Sequence, residues 1–177
     1  MKKMAIAAMA AVLIMGLGVG SASAASSSSS LQAGSLGFNV GFGDSALGNN
    51  GVINVSGRYF IMNDLAIQAG VGIQTSSGDV DAKFFGTSIG VRKYFRTDDF
   101  APFVEGKFSY EQEKMNGNDI TTFGLAGNFG AEYFLHRQFS VEGSVGIGFG
   151  SVDNSLPNQD YTYFGTHTVG ISANFYF

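Results

Sequence analysis

Tyr161–Phe177, YTYFGTHTVGISANFYF, holds the pattern around which the rest of the chain is organised. Every second residue back from the end gives one face of Phe177, Phe175, Ala173, Ile171 and Val169. The intervening residues, Tyr176, Asn174, Ser172, Gly170 and Thr168, are small or polar. That period of two is the signature of a half-buried strand, one face suited to hydrocarbon and the other not. A strand of this kind ending on an aromatic residue suggests a sheet that closes on itself at its last strand.

The other end of the chain is set apart from the fold. Lys2 and Lys3 precede an apolar run, Met4–Gly20, followed by the small residues Ala22-Ser23-Ala24. This is the layout of a secretory signal peptide, residues 1–24, with cleavage expected after Ala24 and Ala22 or Ala25 as near alternatives. Removal of 24 residues from 177 leaves 153, enough for one domain, with 8 basic and 14 acidic residues and a net charge of −6. Such an acidic balance argues against nucleic acid as a partner. There is no cysteine, which excludes disulfides and thiolate metal sites. No later apolar run approaches the ~20 residues of a spanning helix. If the exported chain enters a membrane it does so as strands, and lipid requires those strands to close into a barrel.

The alternation predicts eight strands. Residues 25–34 are Ser-rich and aperiodic, read as a flexible periplasmic leader, and residues 35–177 as the barrel. Leu36, Phe38, Val40 and Phe42 mark strand one; strand two turns Asn54, Ser56, Arg58 and Phe60 inward. Strand three alternates from Leu65 to Gln74, strand four from Phe84 to Phe95, and strand five exposes Val104, Phe108 and Tyr110. Strand six runs through Phe123–Tyr133, strand seven through Phe139–Phe149, and Tyr161–Phe177 is the eighth. The connections alternate between long polar loops (44–51, 75–82, 111–119, 151–160) and short turns (62–64, 96–99, 135–138). Outer-membrane barrels have even strand numbers, long extracellular loops and short periplasmic turns.

Aromatic residues gather at the strand ends, as rings do at a membrane–water interface. One belt, by the short turns, is expected from Tyr59, Phe60, Tyr94, Phe95, Phe103, Tyr133, Phe134, Phe139, Phe175, Tyr176 and Phe177. The opposite belt is expected from Phe42, Phe84, Phe85, Phe108, Tyr110, Phe123, Phe149, Tyr161 and Tyr163. A weak repeat sets Gln68, Glu105 and Glu142 at a spacing of one hairpin each, which predicts a shared depth in the wall.

Charges sort by face. A charge toward lipid at the midplane costs ~2–4 kcal/mol, and the strand register puts Arg58, Arg92, Lys107, Glu105, Glu132 and Glu142 on the inner face instead. An eight-stranded barrel is just wide enough for side chains to fill, so these six are read as a charge network plugging the lumen. A bulge near the end of strand four would turn Lys93 inward in place of Arg92. The long loops hold Asp44, Asp79, Asp81, Glu111, Glu113, Asp119, Asp153 and Asp160 against Lys83 and Lys114, so the net negative charge faces outward.

Catalytic signals are poor. His136 lies on a turn and His167 on the outward parity of strand eight, with no serine to complete a nucleophilic site. Gly146, Gly148 and Gly150 precede no helix and form no phosphate loop, and Asp79-Val80-Asp81 is too short for calcium. No catalytic residue, metal site or cofactor is expected.

The Arg58-Tyr59-Phe60 and Lys93-Tyr94-Phe95 strand ends, the Val104-Glu105-Gly106 and Val141-Glu142-Gly143 strand starts and the terminal Phe177 resemble the outer membrane protein beta-barrel domain family, the group of OmpX-like and OmpA-like small barrels. The resemblance implies a cell outer-membrane location and insertion by the barrel-assembly machinery after periplasmic chaperones. It also implies a C-terminal assembly signal in Phe175 and Phe177, where Ser172 stands at the usual glycine position and Gly170 lies two residues earlier. The expected function is non-enzymatic: a monomeric barrel in contact with outer-membrane lipid and lipopolysaccharide, with a structural or surface-interaction role. A narrow channel or small-solute transporter of the OmpW kind is the alternative, and a lipid A-modifying enzyme a more distant one.

Overall fold

The computed structural model describes residues 30–42, 53–76, 82–115, 118–156 and 159–177. The expected signal peptide with Ala22 and Ala24, and loop residues Asp44, Asp79 and Asp81, fall outside the described residues, as do the side chains of Phe42, His167, Thr168 and Val169. Eight strands form where the alternation places them: β1 (Leu36–Phe42), β2 (Ile53–Met62), β3 (Leu65–Ser76), β4 (Ala82–Tyr94), β5 (Phe100–Met115), β6 (Asn118–His136), β7 (Phe139–Asn154) and β8 (Tyr161–Tyr176). Each pairs antiparallel with its chain neighbour, and β8 pairs with β1, so the sheet is a closed barrel without an edge.

The lipid-facing surface follows from the period of two. Ile73, Ile89, Leu125, Phe129, Val145 and Ile171 are all more than half exposed. In water such a continuous apolar band would drive aggregation; in a bilayer it is the required surface. The intervening residues turn inward, so along β5 every second residue from Ala101 to Glu111 is buried.

The aromatic belts need correction. Most of the rings by the short turns come in adjacent pairs, and the period of two sends one of each pair out and the other in. Tyr59, Phe95, Tyr133, Phe175 and Phe177 are outside, as expected of a belt. Phe60, Tyr94, Phe103, Phe134 and Tyr176 are buried inside the barrel, where they form one apolar cluster with Ala66, Ala101 and Leu31. Phe60 stacks on Tyr94 at 5.8 Å, and Phe134 meets Tyr176 at 5.5 Å between ring centres.

Leu31 reaches this cluster from the Ser-rich segment. Gly34, in a left-handed conformation (φ 89), lets the chain fold back so that its N–H donates to the Phe60 carbonyl at 2.8 Å. The Ala33 N–H donates to Asn63 Oδ1 at 3.1 Å, and the Ser30 hydroxyl to the Arg137 carbonyl. The last residues of the expected leader are therefore tied across the short-turn mouth, with Leu31 fully buried beneath them.

At the other end the strands outrun their expected limits. Residues 111–115 and 118–119, read as a loop, continue β5 and β6 as a paired ladder. Asn154 ends β7, well into the expected 151–160 loop. A bilayer asks for ~9–11 residues per strand, whereas β5 to β8 have 16, 19, 16 and 16. Beyond the hydrocarbon both faces of a hairpin are free to be polar, so alternation fades while backbone pairing continues.

A register shift in β7 and β8, where Ser144 pairs with Gly170 but Gly146 with His167, inserts one extra residue into β8. Parity reverses above it, so Phe164 is exposed while the Tyr163 ring lies over Gly150. Tyr163 thus leaves the expected outer belt. Phe84, also expected there, lies over Gly86 on the inner face.

Several inward rings sit on a directly paired glycine: Tyr176 on Gly37, Phe103 on Gly130, Tyr163 on Gly150. In so narrow a bore a ring can lie flat on the next strand only where that strand carries no Cβ. A Cβ at Gly130 would stand 2.5 Å from the Gly143 carbonyl and 2.6 Å from the Phe103 ring. Gly130→Ala is therefore expected to cost about 1–3 kcal/mol, measured as a lower urea midpoint for the gel-mobility shift of the barrel. Gly127→Ala, where a Cβ meets nothing within 4 Å, should change the midpoint by less than about 0.5 kcal/mol.

Candidate functional site

The interior is polar where its wall is regular. β6 and β7 pair so that Glu132 lies directly opposite Glu142. Both are buried, and two like charges so placed repel. Guanidinium groups from the far wall offset that repulsion. Arg58, from β2, reaches across the lumen to Glu132 at 3.0 Å and Glu142 at 3.1 Å. Arg92, from β4, binds both oxygens of Glu142, at 2.6 Å and 3.1 Å, and takes Glu105 at 2.8 Å.

Neutral groups fill the remaining valences. Tyr94 and Tyr176 each accept a hydrogen bond from Arg58 Nη1, at 2.7 and 2.6 Å. Their hydroxyls donate in turn to the two oxygens of Glu132, at 2.7 and 2.6 Å, and the Ser140 hydroxyl also donates to Glu132. Gln68 Oε1 accepts from Arg58 Nε and Nη2, both at 3.1 Å. Asn174 Nδ2 donates to Glu142 at 3.2 Å and Asn128 Nδ2 to Glu105 at 3.3 Å. Asn39, Ser56 and Gln68 extend the chain of bonds around the wall. Arg92 also lies 3.7 Å above the Phe103 ring centre, a cation–π contact that anchors the network to the apolar cap. The network suits the burial of charge, since each ion is paired and further hydrogen-bonded.

All six residues expected on the inner face are buried there, and five of them form these ion pairs. The sixth, Lys107, is two residues beyond Glu105 on the same face. Arg92, not Lys93, faces inward; Lys93 is exposed and pairs with Asp64 at a short turn. Gln68, Glu105 and Glu142 share a level, because Arg58 binds Gln68 and Glu142 while Arg92 binds Glu105 and Glu142.

Among the residues that sequence reasoning did not place in the network are Tyr94, assigned to a belt, Tyr176, read both on the polar face of strand eight and in a belt, and Glu111, assigned to a loop. Each follows the parity of a neighbour already placed inside: Arg92, Asn174 and Lys107 respectively. Of the expected assembly signal, Phe175 and Phe177 face outward, Gly170 is buried opposite Ser144, and Ser172 faces the lumen opposite Glu142. His136 is exposed at the end of β6, next to the short turn. Among the described residues no three His, Asp or Glu side chains are placed to hold a metal ion.

The family model of the outer membrane protein beta-barrel domain matches residues 9–177, and the chain belongs to that family. The barrel resembles the outer membrane protein OprG from Pseudomonas aeruginosa, with a TM-score of 0.51 at 13% identity over 82% of this chain and 97% of that one. It also resembles the N-terminal β-barrel domain of OprF from the same organism, with a TM-score of 0.50 at 14% identity over 82% and 98%. No curated protein matches the sequence. The outer membrane is therefore the location of this chain.

Removal of Arg58 would leave Glu132 and Glu142 facing each other without their shared cation. Arg58→Ala is expected to destabilise the folded barrel by about 3–5 kcal/mol, read from urea titration of heat-modifiable migration. Adding Glu132→Gln to that variant should restore part of the loss, and an unchanged midpoint would show that the two charges are not coupled.

Proposed function

We propose that this outer-membrane barrel is a sealed structural and surface-interaction protein, its bore shut by charge pairing and its acidic residues presented outward. The observation that carries this reading is Arg58, which spans the lumen between opposite walls and binds two carboxylates and two tyrosine hydroxyls. The apolar cap around Leu31 supports it by filling the short-turn mouth directly beneath that layer. A filled bore matches the width of an eight-stranded barrel.

The partners in this reading are those of an outer-membrane wall protein. The outward rings, such as Tyr59 and Tyr133 below and Phe123 and Phe149 above, would meet lipid and lipopolysaccharide. Phe175 and Phe177, with Gly170, would serve the barrel-assembly machinery, after the chain has crossed the periplasm with chaperones. The barrel acts as a monomer. Catalysis is not part of this proposal.

A narrow channel or small-solute transporter is the second reading, and the inner wall of the outer half favours it. Gly72, Gly86, Gly124 and Gly148 are buried there and contribute no side chain to fill the bore. Conductance separates the two. The refolded barrel in planar bilayers is expected to give no stable unitary openings, and reproducible ion-selective openings would overturn the sealed reading in favour of the channel.

A further inference from the structure

Beyond the ion-pair layer, toward the long-loop end, the lumen changes character. Lys107, Ser109 and Glu111 continue the inward face of β5 and are 5%, 4% and 9% exposed. The Ser109 hydroxyl is buried and has no hydrogen-bond partner, and the same is true of the Tyr163 hydroxyl. Among the described residues no donor hydrogen-bonds the Glu111 carboxylate; the charges acting on it are Lys107 and, with the opposite effect, Glu113. Tyr163 in turn lies in the field of Glu111. This contrasts with the layer below, where each carboxylate has several donors.

Two rings wall this region. Gly86 is paired directly with Glu111, and a Cβ at Gly86 would lie 3.1 Å from the Phe84 ring and 3.5 Å from Glu111 Cγ. The Tyr163 ring covers Gly150, which pairs with Gly124, itself the partner of Ser109. A carboxylate, two hydroxyl oxygens and two aromatic rings thus share the outer half of the bore.

Buried hydroxyls and carboxylates left without partners cost free energy until a ligand supplies them. The ligand that matches is a cationic donor. A primary ammonium carries three N–H donors and no acceptor, one for each of Glu111, Ser109 and Tyr163. Ring faces favour a cation further. Glu113 adds a second carboxylate to the same face, opposing the one cation of Lys107. We propose that the outer half of the lumen is a recess for the primary ammonium group of a small amine, held by Glu111 with Ser109 and Tyr163. The recess is blind only if the barrel is sealed below it, and to that extent it rests on the function proposed above.

The test uses the full mature chain refolded in detergent micelles, titrated calorimetrically with n-butylammonium, tetramethylammonium or 1-butanol. Saturable uptake of one n-butylammonium per barrel is expected, at least about tenfold tighter than tetramethylammonium, which has no N–H donor, or neutral 1-butanol. Glu111→Gln should weaken that uptake about tenfold or more and Ser109→Ala about threefold, with both variants keeping the heat-modifiable migration of the parent. Unsaturable uptake, equal affinity for the three probes, or folded variants that bind like the parent would each overturn the recess. If the barrel conducts yet binds n-butylammonium as described, the sealed reading fails and the recess stands. If it is silent and binds none, the recess fails and the sealed reading stands.

Discussion

The Arg58 guanidinium is the contact on which the interior depends. The pairing of β6 with β7 sets Glu132 directly opposite Glu142, an arrangement the backbone imposes whatever the side chains prefer. A cation between them has to come from elsewhere in the barrel, and it comes from β2, on the opposite wall. Arginine suits the task because its planar fork offers five donors in fixed directions. Those donors reach two carboxylates, two tyrosines and a glutamine. Apart from the bond to Gln68, its ladder partner on β3, these bonds cross the bore rather than follow its wall, so they brace strands that share no backbone ladder.

The same narrowness explains the glycines. Tyr176, Phe103 and Tyr163 lie against Gly37, Gly130 and Gly150, each on the directly paired strand. Large rings and missing Cβ atoms are thus two halves of one packing solution. Below the ion pairs this packing is apolar and complete, with Leu31 brought in from outside the sheet. Above them it is more polar, with Ser109 and Tyr163 hydroxyls buried without partners. The barrel is therefore two interiors in series, one self-sufficient and one with unused hydrogen-bonding capacity.

Much of the architecture was legible in the residues themselves. Strand number, up-and-down order, the lipid face and the six inward charges all follow from a period of two and the cost of charge in hydrocarbon, which are local rules. The continuation of β5 to Met115 and of β7 to Asn154 was not legible, because outside the bilayer no solvent contrast marks the two faces. Tyr94 and Tyr176 were legible in principle: as members of adjacent aromatic pairs they could not both join a belt with Phe95 and Phe177 and keep the alternation of Arg92 and Asn174.

What the chain by itself determined is which side of the wall each strand residue occupies, since alternation is a property of neighbouring residues and needs no knowledge of distant ones. Only the tertiary structure decided which inward residues meet. Arg58 and Glu132 are 74 residues apart, and their contact depends on the closure of β8 on β1 and on the bore that closure leaves. It also decided the reversal at Tyr163, because one extra residue in β8 relative to β7 is a difference between two strands, invisible in either alone. The burial of Leu31 was likewise decided there, since a single apolar residue after a serine run has no period to read and acquires its place only from the mouth it closes.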